Sequence, residues 1–196
     1  MKKLGLVGGM GVESTIPYYH DIVYGVQNRV GEKFFPNITI ESVNAFDILG
    51  LCSEQKYDEL TNYLMQAIKN LTASGADFIA LSANTPHIIF DRLQNISTVP
   101  LVSIVEATCN EAIRLNKHKL GLLGTIFTMT EDFFKKPFYN SNIEIITPTA
   151  EEMEYINLKI SSELEFGVIK EETLQGFQKI IKRMQQEDSI EAVILG

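Results

Sequence analysis

The sequence predicts an α/β protein of two similar halves, each a mainly parallel sheet flanked by helices. Short apolar runs alternate with helical patterns along all 196 residues. Residues 4–8, which end in glycine, match residues 120–124, and residues 76–82 resemble residues 190–196. The spacing between the two runs is nearly the same in both halves, and such an internal repeat predicts two pseudo-symmetric α/β domains.

Composition limits the class of protein and its partners. Hydrophobic residues make up 45% and charged residues 21%, which is ordinary for a globular chain with one large core or two small ones. The net charge of −8 argues against a nucleic-acid partner. No apolar run approaches the roughly 20 residues of a membrane span, and no signal peptide is expected. Two distant cysteines, Cys52 and Cys109, indicate reduced thiols and a cytoplasmic location.

The first half follows a strand–helix alternation. The predicted strands are residues 3–7, 37–43, 77–81 and 99–102, and the predicted helices are 13–29, 54–74 and 86–93. The glycines of residues 8–11 indicate positive φ or a close backbone approach. Their spacing fits neither a dinucleotide fingerprint nor a phosphate-binding P-loop, so we expect no nucleotide cofactor.

The second half repeats the alternation. Its predicted strands are residues 119–124, 143–147 and 190–195, and its helices are 106–116, 151–165 and 170–186, with Gly167 as a C-terminal cap. The segment 95–100 is the best boundary, which gives domains 1–98 and 99–196. A buried strand that leads into no helix is unusual, so the second domain is expected to be truncated after Gly196. A ligand is expected between the carboxyl ends of the two sheets.

The small polar residues after residue 81 are the first site candidates. A buried strand that ends at a helix N-terminus commonly binds anions, and Thr85 before Pro86 could cap such a helix. An ordinary strand-to-helix loop explains these residues about equally well. Asp47 follows another strand and fits a turn or helix cap at least as well as a pocket. The hydroxyls of Thr125 and Thr128 suit a carboxylate ligand, although helix capping explains them almost as well.

The three histidines predict no metal site. His20, His87 and His118 have no metal-ligand spacing with cysteines or carboxylates, so no metal is expected. His87, one turn into the predicted helix, is expected to support neighbouring residues and not to act as a catalyst.

Several motifs in chain order resemble the aspartate/glutamate racemase superfamily. They are Leu6-Val7-Gly8-Gly9-Met10, Glu13-Ser14-Thr15, Asn84-Thr85-Pro86-His87 and Leu122-Leu123-Gly124-Thr125 with Thr128. The resemblance implies two domains with the active site between them. It also implies racemisation of an amino acid without pyridoxal phosphate, by one thiol on each face of the α-carbon. By the same resemblance, the substrate carboxylates are held by Asn84, Thr85, Thr125 and Thr128, and the pocket is lined by Met10, Thr15 and Asp47. Homodimers are common among relatives.

The sequence departs from the family pattern at both expected cysteines. Ala83 stands where the first belongs, and the second is expected just beyond Gly196. Neither Cys52 nor Cys109 belongs to a family motif. We therefore expect a racemase-type isomerase whose 196-residue chain is itself inactive. Alternatives are a decarboxylase or isomerase of small dicarboxylates with the same fold, and a non-catalytic binder of amino acids or dicarboxylates.

Overall fold

A computed structural model describes residues 1–196 as two compact units, Met1–Ile104 and Val105–Gly196. The first unit is built on a four-stranded sheet in which all neighbours are parallel. In the order in which they pair, its strands are β2 (Ile38–Ser42), β1 (Leu4–Gly8), β3 (Phe78–Leu81) and β4 (Leu101–Val102). Strand β1 is buried throughout because it lies between two neighbours and beneath helices.

Four helices belong to the first unit. They are α1 (Val12–Val30), α2 (Ala45–Ser53), α3 (Tyr57–Ala73) and α4 (Phe90–Ile96), and a 3₁₀ turn, Thr85–Ile89, precedes α4. The sequence prediction of one helix over 54–74 is wrong at its start. Gln55 has a left-handed φ of 55°, which ends α2 and separates it from α3. Helix α2 escaped the sequence analysis, although its Ile48 and Cys52 are buried.

The inward face of α1 is narrower than the sequence pattern predicts. The sequence pattern predicts an inward face formed by Ile16, Tyr19, Ile22, Val23 and Val26. Only Val23 of this set is buried, whereas Ile16 is 60% and Tyr19 is 49% exposed. The buried part of α1 is therefore limited to the turn around Val23, and part of the predicted set lies on the exposed surface. No helix of the protein is both long and apolar enough to cross a membrane.

The boundary between the units lies after the position predicted from sequence. Residues 99–104 fall in the first unit because β4 pairs with β3, Ile79 opposite Leu101. The backbone N–H of Ile79 also donates to the Pro100 carbonyl. The predicted second domain, 99–196, would therefore take β4, the edge strand of the first sheet, away from its partner β3.

The second unit has a three-stranded parallel sheet. Its strands, in pairing order, are β6 (Glu144–Ile146), β5 (Lys119–Leu123) and β7 (Ala192–Leu195). Its helices are α5 (Ile104–Arg114), α6 (Ile126–Thr130), α7 (Asp132–Asn140), α8 (Ala150–Ser162) and α9 (Glu171–Glu187). Helix α7 was not predicted, yet its fully buried Phe134 and Phe138 stack with ring centroids 5.6 Å apart in the core. Gly167 caps a 3₁₀ turn with a left-handed φ of 68°, which confirms its predicted role.

The internal repeat is present in the hydrogen-bond register of the two sheets. In the first, Leu4 lies opposite Phe78 and Val7 opposite Leu81. In the second, Leu120 lies opposite Ala192 and Leu123 opposite Leu195. The next N–H continues each ladder, since Ser82 donates to the Val7 carbonyl and Gly196 to the Leu123 carbonyl. Ser82 and Gly196 therefore occupy equivalent register positions.

An acidic side chain closes the opposite end of each sheet in the same way. In the first unit, the Lys3 N–H donates to the Asp77 carboxylate at 2.6 Å. In the second, the His118 N–H donates to the Glu191 carboxylate at 3.1 Å. Asp77 and Glu191 are paired by the sequence repeat as well, so the duplication extends to side-chain contacts at the amino ends of the sheets.

Candidate functional site

The glycine loop after β1 is fixed by backbone geometry and by one hydroxyl. Gly9 has a left-handed φ of 79°, and a Cβ placed there would collide with the Ser42 hydroxyl and the Val43 carbonyl. The Thr15 hydroxyl accepts the Gly9 N–H at 2.9 Å and donates to the Gly11 carbonyl at 2.9 Å. Met10 is half-buried within this loop. Thr15 thus holds the loop shape, a task that sequence reasoning did not assign to it.

Two serines join the ends of β1 and β3. The buried Ser82 hydroxyl lies 3.1 Å from the Thr15 hydroxyl. Ser14 donates its hydroxyl to the Ser82 carbonyl at 3.0 Å. Sequence reasoning used Ser82 only as the end of a strand and did not place it in the site. The repeat pairs Ser82 with Gly196, and this pairing could have placed Ser82 in the site. Both residues end a strand next to the loop that follows the first strand of their unit.

Asn84 carries the most informative feature of the strand-to-helix loop. It occupies the position before the 3₁₀ turn with helical backbone angles, and its side chain makes no capping hydrogen bond. Its Oδ1 is buried and has no hydrogen-bond partner in the protein. Thr85 is the first residue of the turn and is itself buried, so the capping role expected of Thr85 falls to the Asn84 position. A buried acceptor without a donor costs about 1–3 kcal/mol, and a bound ligand could supply that donor.

Ala83 and His87 face each other across one turn of the loop. Ala83 offers only a methyl group, and its carbonyl lies 3.0 Å from Nδ1 of His87. The other ring nitrogen, Nε2, accepts the backbone N–H of Ile104 at 3.1 Å. Burial lowers the pKa of His87 to about 4, and the carbonyls of Ala83 and Asn84 offset only part of that effect. His87 is therefore neutral near pH 7.

Asp47 lies at a helix start on the surface. It is exposed in the first turn of α2, where its charge suits the helix dipole. Its carboxylate is 3.5 Å from the Tyr63 hydroxyl, which also accepts the Asn44 N–H at 3.0 Å. The Asn44 side chain supplies the N-cap by accepting the Phe46 N–H at 3.1 Å. The capping interpretation of this segment thus applies to Asn44, with Asp47 one turn further on.

In the second unit, the loop after β5 presents two threonine hydroxyls. Thr125 caps α6 by accepting the Thr128 N–H at 3.3 Å, and the two hydroxyl oxygens lie 3.2 Å apart. Asn157 accepts the Ile126 N–H at 2.9 Å and fixes the same helix start. No sequence pattern pointed to Asn157, because its contact arises from the packing of α8 on α6. Thr128 is fully buried beside Gly124 and Gly196.

Both cysteines lie in protein cores. Burial raises the pKa of the Cys52 thiol to about 11. The Cys109 thiol is 3.5 Å from both the Pro137 carbonyl and the Ser141 hydroxyl in the core of the second unit. A nucleophilic or proton-abstracting cysteine needs a stabilised thiolate, which the environment of Cys52 does not provide.

Comparison with known proteins places these loops in a family. The model of the Asp/Glu/Hydantoin racemase family matches residues 7–196. The chain belongs to this family. The glycine loop, the Asn84 loop and the Thr125 loop all fall within the matched range.

Individual members agree with this placement. The chain is 28% identical over 156 residues to the broad-specificity amino-acid racemase RacX of Bacillus subtilis, and the match spans 73% of the chain but only 63% of that relative. A Yersinia pestis structure assigned to the Asp/Glu racemases is 32% identical with a TM-score of 0.89, covering all of this chain and 85% of that one. An aspartate racemase homologue from Pyrococcus horikoshii is 36% identical with a TM-score of 0.82 and the same coverage.

Proposed function

We propose that this chain binds a dicarboxylic amino acid and is an aspartate/glutamate-type racemase that works at the α-carbon without pyridoxal phosphate, and that with Ala83 its 196 residues are inactive by themselves. Family membership supports the reaction type, and the relatives named above supply the substrate class. In this proposal the hydroxyls of Thr85, Thr125 and Thr128 bind substrate carboxylates, and Met10, Thr15 and Asp47 line the pocket. A homodimer and a cytoplasmic location belong to the same proposal.

The observation that carries the substrate class is the buried Asn84 Oδ1 without a partner. The sequence resemblance assigns Asn84 to a substrate carboxylate, which its amide N–H groups can bind, but Oδ1 is an acceptor and needs a donor. An ammonium group carries three N–H donors and would supply the hydrogen bond that Oδ1 lacks. Asn84 Oδ1 is therefore proposed to accept a hydrogen bond from the substrate α-ammonium. This favours amino acids over plain dicarboxylates and counts against a decarboxylase of unaminated substrates.

The proposed chemistry is exchange of the α-proton. A base takes the proton as the α C–H bond breaks, the electron pair moves into the adjacent carboxylate, and a proton delivered to the opposite face forms the new bond. Ala83 can neither take nor deliver a proton, so the face of the substrate next to it lacks an acid/base group. The buried, neutral His87 does not replace it, because both ring nitrogens already contact backbone groups.

Ala83 favours a second candidate function, in which the protein binds the amino acid without turning it over. A methyl group at position 83 leaves the ligand contacts of Asn84 and Thr85 intact while removing chemistry. Binding and exchange must therefore be measured separately.

Calorimetry with aspartate, glutamate and succinate tests the binding proposal. We expect both amino acids to bind about 5- to 100-fold more tightly than succinate, since leaving Asn84 Oδ1 unpaired costs about 1–3 kcal/mol. Asn84→Leu, of similar size without polar atoms, should abolish that preference. Tight succinate binding to the wild type, unchanged in Asn84→Leu, would show that Asn84 does not recognise an ammonium group.

Hydrogen exchange in heavy water, followed by NMR for each enantiomer, tests the chemistry. We expect Ala83→Cys to raise α-proton exchange for one enantiomer selectively, because it adds a thiol on one face only. Ala83→Ser is the matched control, since its hydroxyl is similar in size and far less acidic. Exchange by Ala83→Cys that is no faster than exchange by the wild type and Ala83→Ser would contradict a substrate α-carbon beside residue 83.

A further inference from the structure

His87 joins two segments of the first unit through its ring. Its side chain is only 4% exposed and lies parallel to the Phe90 ring, with centroids 5.1 Å apart. Nδ1 is 3.0 Å from the Ala83 carbonyl, at the end of the β3 loop. Nε2 is 3.1 Å from the backbone nitrogen of Ile104, the first residue of α5. The ring therefore spans the gap between the loop and a helix start.

These two contacts fix where the imidazole carries its proton. A backbone N–H can only donate, so Nε2 must accept from Ile104 and cannot carry a hydrogen. A carbonyl can only accept, so Nδ1 must carry the hydrogen and donate it to Ala83. The positive end of the α5 dipole disfavours an imidazolium at the same place. A neutral ring with the proton on Nδ1 is the single form that satisfies every neighbour.

We propose that His87 is a positioning residue, whose Nδ1–H holds the Ala83 carbonyl and so fixes the Asn84 side chain in its ligand-binding orientation. The Ala83 carbonyl belongs to the peptide that leads into Asn84, so a bond to it restrains the plane from which that side chain projects. The His87 N–H completes the restraint by donating to the Asn84 carbonyl at 2.8 Å. The ligand part of this inference rests on the proposed function, whereas the proton position does not.

Two substitutions separate the two ring contacts. His87→Asn places an amide N–H near the former Nδ1 and can keep the bond to Ala83, but it cannot reach Ile104. His87→Gln places an amide oxygen near the former Nε2 and can keep the Ile104 bond, but it loses the bond to Ala83. Each variant removes one hydrogen bond and some packing on Phe90, so comparable losses of melting temperature are expected.

The positioning role predicts different behaviour of the loop in the two variants. Aspartate affinity should fall about 3- to 10-fold further in His87→Gln than in His87→Asn. The ¹³C resonance of the Ala83 carbonyl should move in His87→Gln and stay near the wild-type value in His87→Asn. Equal losses of affinity, or an Ala83 resonance that moves equally in both, would show that His87 acts only through stability.

NMR of the ligand-free wild type, labelled with ¹⁵N-histidine, tests the proton position independently of any ligand. We expect His87 to show a protonated Nδ1 and an unprotonated Nε2 at pH 7, with its resonances assigned by their loss in His87→Asn. A proton on Nε2, or titration of His87 near pH 6.5, would overturn the inference. If His87 shows the expected proton position but aspartate does not bind, only the proposed function is contradicted. The ¹³C resonance of the Ala83 carbonyl in the two variants would still test whether His87 restrains this peptide.

Discussion

At the scale of single residues, Gly9 and Gly25 have surroundings that predict opposite responses to the same substitution. Gly9 combines a φ of 79° with a Cβ position blocked by the Ser42 hydroxyl and the Val43 carbonyl. Gly25 lies inside α1 with no atom within 4 Å of its Cβ position. The first glycine is required by backbone geometry, whereas the second only adds conformational freedom to the unfolded chain.

We expect Gly9→Ala to lower the free energy of unfolding by about 2 kcal/mol or more, because a left-handed backbone and a collision with a carbonyl both oppose the methyl group. Gly25→Ala should raise it by about 0.5–1 kcal/mol, the gain in helix propensity. Urea unfolding of both variants provides the measurement. A neutral Gly9→Ala would show that the loop relaxes easily.

Residue-level prediction from sequence succeeded where a residue type has one physical use. Glycines at the end of a strand predicted an unusual loop, and Gly167 predicted a left-handed cap. The unpaired Oδ1 of Asn84 and the proton on Nδ1 of His87 were beyond prediction, because both depend on which distant atoms come within hydrogen-bond reach. Ile104 is in contact with His87 only after β4 has joined the sheet.

At the scale of elements, Glu163 ties α8 to α9 through a buried carboxylate. It accepts hydrogen bonds from Lys159 at 2.7 Å, Thr173 at 2.6 Å and Lys170 at 3.2 Å. These bonds, led by the one from Lys159, lower the pKa of Glu163 to about 2. The carboxylate therefore stabilises the fold fully above the unfolded pKa of about 4.3 and loses its effect as the pH falls toward 2.

We expect Glu163→Gln to lower the melting temperature at pH 7. The difference in melting temperature between this variant and the wild type should shrink as the pH falls from about 5 to 2. Glutamine resembles the protonated acid, so the two proteins become alike once Glu163 takes up its proton. Glu165→Gln is the control, since burial raises the pKa of Glu165 and its pH dependence should have the opposite sign. A pH-independent difference for Glu163→Gln would mean that shape, not charge, joins these helices.

Element-level prediction failed where the signal was short or interrupted. Helix α7 contains Pro137, which argues against a helix in sequence terms, yet burial of Phe134 and Phe138 outweighs the lost backbone bond. Helix α2 was missed, and the predicted start of α3 was placed too early because nothing in the type of Gln55 signals a left-handed backbone. The long periodic helices and the buried strands, by contrast, were found close to their observed bounds.

At the scale of the whole molecule, the position of β4 decides how the chain can be divided. A fragment of residues 1–104 retains Leu101 opposite Ile79 and the Ile104 N–H that reaches His87. A fragment of residues 1–98 loses both. We expect the longer fragment to unfold cooperatively on heating and the shorter one to melt lower, as measured by circular dichroism. Equal melting of the two fragments would mean that β4 contributes nothing to the first unit.

The register of the two sheets also bears on how the chain leaves the ribosome. The first strand of each unit is an inner strand of its sheet, and one of its neighbours follows much later in the chain. Lys3 and Asp77 thus meet across 74 residues, and His118 and Glu191 across 73. Neither sheet can form from neighbouring segments of the chain alone, because its first strand also pairs with a strand more than 70 residues away. Sheets with such distant pairings fold slowly. During synthesis β1 has one unpaired edge until β3 emerges. Because the architecture is duplicated, this delay in strand pairing occurs once in each unit. Until pairing is complete, the growing chain exposes an apolar strand edge to which chaperones can bind.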